Sequence, residues 1–327
     1  MKNPNHLKNL KGLAYGIVYG LIARGVIELE FNIFDAKGSG LMTMTFLFLV
    51  PFLIGLITTY KNREISSTTK VLSISMPLFA VLGVILITLI MQWEGIICVL
   101  MAIPIFAVTA MIGGYIGIQL FERKPNQMNI TLILLLPFLL APLEQQLGLS
   151  QKIFSETTTI LVEGNQQAIW DNITRVYYIE EAENKKSLFQ IMGFPRPLEA
   201  TLDTVAVGGV RIAKFDRGLF FTETVTKVID QQFLEFTIEA DPNSIPPKAL
   251  DEHVLVGGQY FDVLKGSYEI ISTSEPNIYE IKLTSQFRLS TNFNFYSGFW
   301  SKLIMRDIQN NILEILKARV EQEKMAK

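Results

Sequence analysis

Arg211 and Glu223 are the two side chains best spaced for chemistry in this sequence. Each sits in a short run with alternating apolar residues, so the period of two of a strand decides which way it points. Glu223 shares parity with Phe221 and Val225, and Arg211 with Val207 and Ala213. On neighbouring strands both then face the concave side of a sheet, a polar anchor inside an otherwise apolar pocket. The alternative is an ion pair on the wet face, worth at most about 1 kcal/mol. Tyr260, Asp262 and Tyr268 are further polar candidates. His253, in Asp251-Glu252-His253, reads either as a general base or as a solvated loop residue, with no nucleophile motif beside it.

Other chemistries are excluded. Two histidines in total, His6 and His253, rule out a site needing several imidazoles. The single cysteine, Cys98, falls in an apolar run, which leaves neither an intramolecular disulfide nor a thiolate metal site. There is no G-x-S-x-G, P-loop or H-E-x-x-H, so no catalytic residue, metal or cofactor is expected. A net charge of -2 without a basic cluster gives no reason to expect nucleic acid. Gly208-Gly209 and Gly257-Gly258 read as turns or bulges rather than phosphate cradles.

The elements that must position these residues divide near residue 150. Residues 1–150 read as a membrane domain of four to five helices, at about 12–29, 41–60, 71–90, 95–120 and 130–149, each near the roughly 20 residues a bilayer requires. The first stretch is not followed by a small-residue cleavage site, so it reads as a span rather than a secretory signal. Gly12, Gly16 and Gly20 on one helix face predict close helix packing, as do Gly113 and Gly117. Pro51, Pro77, Pro104 and Pro137 predict kinks rather than breaks. The central turns of the spans carry no ionisable residue, which argues against an ion or proton path. With five spans the amino-terminal lysines, Lys61/Arg63/Lys70 and Arg123/Lys124 share one side. The expectation is an integral cell-membrane protein with a cytoplasmic amino terminus and an extracytoplasmic C-terminal domain.

Residues 151–327 read as an α+β domain. A strand at Thr157–Val162 precedes a helix at Asn165–Val176 and a second helical region within Ile179–Met192. Strands follow at Val205–Phe215, Leu219–Val228, Gln231–Glu239, Tyr260–Ser272, with a bulge at Gly266, and Ile278–Leu289. A long amphipathic helix closes the chain after Asn294, read as its N-cap; Trp300, Ile304, Ile308, Ile312 and Ile315 form its apolar stripe, and Gln309 falls among the polar residues.

Strand, two helices, antiparallel meander and closing helix is the order of the helix-grip fold. On Ala168-Ile169-Trp170, Gly209-Val210-Arg211, Gly218 with Phe221-Thr222-Glu223-Thr224-Val225, and the Trp300 helix, the C-terminal half resembles the START-like (SRPBCC) superfamily of polyketide cyclase/dehydrase-like and lipid-transport proteins. The resemblance implies a curved antiparallel sheet around the last helix, with a cavity between them for an apolar ligand. Phe236, Ile281, Leu283, Trp300, Ile304 and Ile308 are expected to line that space. The fold class expected is an α-helical membrane region fused to an α+β helix-grip domain. Its partners would be the bilayer and a lipid or other hydrophobic small molecule. The rival functions are a cyclase- or hydrolase-like enzyme using Glu223, Asp262 or His253, and a membrane-tethered docking module.

Overall fold

The computed structural model describes residues 4–33, 40–61, 70–123, 130–184, 186–240 and 255–325. The chain forms two units, Met1–Leu149 and Ser150–Lys327. His253 lies outside the described residues.

The first unit consists of α1 (Pro4–Ile33), a 3-10 turn (Gly40–Met42) and π turn (Thr45–Leu49) leading into α2 (Val50–Lys61), then α3 (Lys70–Ile90), α4 (Ile96–Arg123) and α5 (Ile130–Gln146). Proline is carried inside α3, α4 and α5. Among the described residues two segments, Lys11–Ile33 and Ile96–Leu120, are long and apolar enough to cross a membrane, and Thr45–Lys61, Ile74–Ile90 and Thr131–Gln146 are shorter apolar helices. The Val50–Thr59 stretch of α2 is almost wholly buried. Its neighbours approach closely because they lack side chains at the crossing points. A Cβ on Gly55 would collide with the Ala110 carbonyl and one on Gly113 with the Phe52 carbonyl, and one on Gly20 would lie 2.7 Å from Val84. Polar contacts tie the ends. Arg24 Nη2 lies 3.0 Å from Glu94 with its guanidinium 5.1 Å from the Trp93 ring, and the Glu144 carboxylate accepts from the N–H groups of Met44 and Thr45 at 2.6 and 2.9 Å. The outward faces are apolar: Val18, Ile22, Leu86, Val108, Tyr115, Leu132 and Leu139 are all more than half exposed.

The second unit is an antiparallel sheet of seven strands among the described residues, in the order β1-β7-β6-β5-β4-β3-β2. Its elements are β1 (Gln151–Glu163), α6 (Gln166–Thr174), α7 (Leu188–Met192), β2 (Pro197–Leu202), β3 (Val210–Phe215), β4 (Phe220–Ile229), β5 (Phe233–Ala240), β6 (Phe261–Ser272), β7 (Ile278–Ser290) and α8 (Asn294–Met325). This is the helix-grip architecture. Alternation sets the faces: in β4 Phe221, Glu223 and Val225 are buried while Phe220 is turned outward.

Several sequence expectations are corrected. The first strand is about twice as long as the Thr157–Val162 expected, because the residues from Gln151 to Glu156 also pair with β7. The strand expected at Val205–Phe215 is shorter, β3 starting only at Val210 after the Gly208-Gly209 turn, and an additional strand, β2, precedes it from Pro197, where an edge strand tolerates proline. The second helical region shrinks to α7; Tyr177–Asn184 is clipped to α8 instead, by Arg319 donating to the Tyr177 and Tyr178 carbonyls and pairing with Glu183 at 2.6 Å. The register shift in β6 falls between Val263 and Lys265, and Gly266 serves a different purpose described below. Asn294 is the first helical residue of α8, and its amide reaches back to Thr291 and to the Ser150 carbonyl at 2.7 Å.

The face of α8 is also rotated from the expected one. Gln309 is 1% exposed, in line with Met305 and Leu313, while Ile308 and Ile312 keep some accessible surface. Its amide is fully used: Oε1 accepts from Thr158 Oγ1 at 2.7 Å, and Nε2 donates to the Glu156 carbonyl at 3.1 Å and Ser285 Oγ at 2.9 Å. A buried amide so satisfied fixes the sliding register of α8 on β1 and β7, which an apolar side chain does not. Gln309→Leu leaves the two hydroxyls without this partner. It is expected to lower the unfolding free energy of the second unit by about 1–3 kcal/mol, measured by urea unfolding; no change would assign the register to apolar packing alone.

Candidate functional site

The inner face of the sheet brings Arg211, Glu223, Phe236 and Tyr268 together from four strands. Arg211 and Glu223 stand directly opposite one another in the β3–β4 register and form an ion pair, with side chains only 4% and 6% exposed. The Arg211 guanidinium lies 5.3 Å from the Phe236 ring centroid, and the Tyr268 phenol interacts electrostatically with it. Phe236 and Tyr268 rings are 6.3 Å apart. Gly266, opposite Phe236 in the register, makes room for that ring, since a Cβ there would come within 2.6 Å of it. The pair therefore lies inside, not on the wet face.

Burial dominates the electrostatics. It pushes the Glu223 carboxyl above the ordinary carboxylate value although Arg211 opposes the shift, and it raises the Tyr268 phenol as well. Arg211 Nε is buried without a hydrogen-bond partner among the described residues. An orphaned donor on a buried cation is a place for an acceptor atom.

One side of this group is closed and the other is not. Tyr268 and Phe236 belong to a packed core with Ile281, Leu283, Trp170, Leu313 and Leu316, so Ile281 and Leu283 are filled structure under the C-terminal half of α8. Leu202, opposite Arg211 in the β2–β3 register, extends that core. In the other direction Glu223 stands opposite Ile238 on β5, the central strand. Ile238 packs at the margins of three separate apolar clusters and still retains accessible surface on the inner face. A close-packed domain ordinarily has one contiguous core.

The remaining sequence candidates are dispersed. Phe221 packs with Ala200, Ala213 and Leu219 and meets Phe215 edge-on at 5.2 Å. Tyr260 is buried, its carbonyl accepting from Ser290 N–H. Asp262 is not on the inner face: its neighbours Phe261 and Val263 point inward, so it points out, 3.8 Å from Arg288, where partial burial raises its carboxyl. Ile304 is buried and Ile308 partly so. Trp300 meets Tyr296 and Phe299 edge-on at 6.4 and 5.8 Å, and its indole N–H is buried without a partner among the described residues. Sequence reasoning missed Ile238 as a boundary residue. Its signal was present, since it alternates with Leu234 and Phe236 in β5.

No family model and no curated protein matches the chain. Solved structures similar to it include a START superfamily protein from Mycobacterium smegmatis, 10% identical over 51% of this chain and 97% of that one, with a TM-score of 0.35. Another is norcoclaurine synthase from Thalictrum flavum in complex with dopamine and hydroxybenzaldehyde, 14% identical over 54% and 90%, with a TM-score of 0.32. A protein from Nitrosospira multiformis is 10% identical over 53% and 99%, also at 0.32.

The buried pair makes an asymmetric prediction. Glu223→Leu strands a guanidinium that cannot neutralise itself and is expected to cost about 3–5 kcal/mol of stability. Arg211→Met costs less at low pH, because Glu223 can take up a proton. A carboxyl whose folded pKa is raised holds its proton longer in the native state, so stability falls as pH rises from the ordinary carboxylate value through the folded one. Urea unfolding against pH is expected to show this fall deepened in Arg211→Met. In the double variant Arg211→Met/Glu223→Leu the Glu223 contribution to the slope should vanish, with stability at or above that of the native protein. A pH slope equal in all three proteins would place the pair in solvent.

Proposed function

We propose that the C-terminal unit binds a lipid or other hydrophobic small molecule between the sheet and α8, and that the N-terminal unit embeds the protein in a membrane. The observation that carries the binding reading is the buried Arg211–Glu223–Tyr268 group beside the accessible inner-face Ile238. Taking two charges out of water costs several kcal/mol per ion, and an apolar pair of similar size often stabilises a protein more. Stability alone therefore gives no reason for the pair, whereas an oriented polar floor beneath an apolar ligand does. The orphaned Arg211 Nε fits a carbonyl, ester or hydroxyl oxygen. The pair is neutral overall, which favours an uncharged polar group at that end of the ligand. Apolar contact supplies the rest, at about 2.5 kcal/mol gross for each 100 Å2 hidden from water.

The membrane reading is supported by the apolar outer faces of α1, α3, α4 and α5, which a water-exposed bundle would not carry over so large an area. It is supported also by the distribution of charge along the bundle. Gly16 packs near Ala80 and Gly20 near Val84, so α1 and α3 run parallel, and Lys61 reaches the Tyr15 ring at 4.6 Å, so α2 runs back. Lys61 thus marks the end of the bundle opposite Arg24, Glu94 and Glu144. Lys61 at that end, against an Arg24 already paired with Glu94 at the other, favours a cytoplasmic side at the Lys61 end, with the C-terminal unit on the other side.

The binding reading is tested by native mass spectrometry of Ser150–Lys327 expressed alone, followed by lipid extraction of the same sample. The expected result is a stoichiometric apolar adduct, lost in Ile238→Trp and in Ile308→Trp while cooperative unfolding is retained. A bare mass that takes up nothing from a mixed lipid extract would overturn it.

A further inference from the structure

The first two turns of α8 carry Phe295, Tyr296, Phe299 and Trp300. Phe295 and Phe299, four residues apart on one helix face, are 68% and 58% exposed. Two cations edge this apolar surface. Lys152 Nζ and Lys302 Nζ lie 5.3 and 6.0 Å from the same ring, that of Phe154, which packs beneath Gly298. Exposed phenylalanines next to lysines are a poor surface for water and a good one for a lipid interface.

The position of this end of α8 along the chain names the occupant. Asn294 Nδ2 donates to the Ser150 carbonyl at 2.7 Å and Ser150 N–H donates to Asn292 Oδ1 at 3.2 Å. The start of α8 is thereby pinned to the first residue of the C-terminal unit. α5 ends at Gln146, and the chain from there to Ser150 spans at most about 14 Å. Phe299 lies about 7–8 Å along the helix from Asn294.

We infer that the aromatic end of α8 inserts into the headgroup region of the bilayer, with Lys152 and Lys302 against anionic headgroups, so that the C-terminal unit is held against the membrane surface. This rests on the membrane reading above. If α5 ends at the interface, Ser150 is within reach of the headgroup layer, and Phe295 and Phe299 are the exposed apolar groups nearest that point on α8. An apolar helix face of this kind buries about 5–10 Å into the boundary between headgroups and acyl chains.

The test uses the full chain in a Cys98→Ser background, reconstituted in vesicles of phosphatidylcholine with a minor share of phosphatidylglycerol. A fluorophore is placed at one of three sites, Phe299→Cys, Leu139→Cys or Glu275→Cys, and quenched by lipids spin-labelled at shallow or deep acyl positions. Leu139 is an outward residue of α5. Glu275 lies in the β6–β7 turn next to Asn277, whose carbonyl accepts from Gly164, and Gly164 contacts Val320, about 30 Å along α8 from Phe299. Shallow quenching at Phe299 at least about twofold above that at Glu275 is the expected result for insertion to this depth. Strong quenching at Leu139 with Phe299 no different from Glu275 would overturn this inference and leave the membrane reading standing. No quenching at Leu139 would overturn the membrane reading, and this inference with it.

Discussion

The C-terminal unit depends on the docking of α8 across β1 and β7. These are the first and last strands of the sheet to be made, paired over their full length, so the unit closes only when its ends meet. The inner face they share with β4, β5 and β6 is too apolar to remain wet. Gln309 registers α8 there, and Arg306 adds a 2.7 Å hydrogen bond to the buried Glu156 carboxylate one turn earlier. A helix held by apolar contact alone can slide by a turn at little cost; a helix whose amide satisfies two hydroxyls and a carbonyl cannot.

With that helix fixed, the two ends of the inner space differ. Under its C-terminal half Trp170, Leu313, Leu316 and Val320 fill the sheet from Val162 to Leu283 in one cluster. Toward its N-terminal half the apolar residues separate into smaller groups around Phe221 and around Phe287, with Ile238 touching each. The Arg211–Glu223 pair stands at the boundary. An ion pair wholly within the packed end would only cost desolvation, and one at the open end would be hydrated. At the boundary it is shielded enough to be strong, and its buried Nε has no hydrogen-bond partner among the described residues.

Much of this was legible in the sequence because strands report their faces through a period of two. The alternation through Phe221, Glu223 and Val225 put Glu223 on the inner face, and the same rule run through Ala213 put Arg211 on that face too; the register that sets them opposite each other came from the structure. What parity leaves open is whether a face is wet or buried, which long-range packing decides; Phe236 and Tyr268, far away in sequence, are what enclose the pair. Helices are less forthcoming. Counting apolar residues put Gln309 on the solvent side of α8, because a composition rule has no way to see that Thr158 and Ser285 supply partners. Pro197 hid β2 for a related reason: proline argues against a central strand, and β2 is an edge strand whose register shifts at Pro197.

The two units solve opposite solvation problems with similar side chains. In the first, leucine, isoleucine and valine cover the outside while a glycine-lined contact at Gly55 and Gly113 lets backbones touch inside. In the second, the same residue types are turned inward and the outer face is left to ion pairs such as Lys214–Glu199 and Asp262–Arg288. Under the proposed function, an apolar ligand among lipids would meet the first environment, and one enclosed against Ile238 the second. Moving between them exchanges one apolar surrounding for another, so the favourable transfer from water contributes little to the exchange itself. Selectivity for such a molecule then falls to whatever the bilayer interior lacks, and at the inner face of this sheet that is the fixed pair of charges and the phenol of Tyr268.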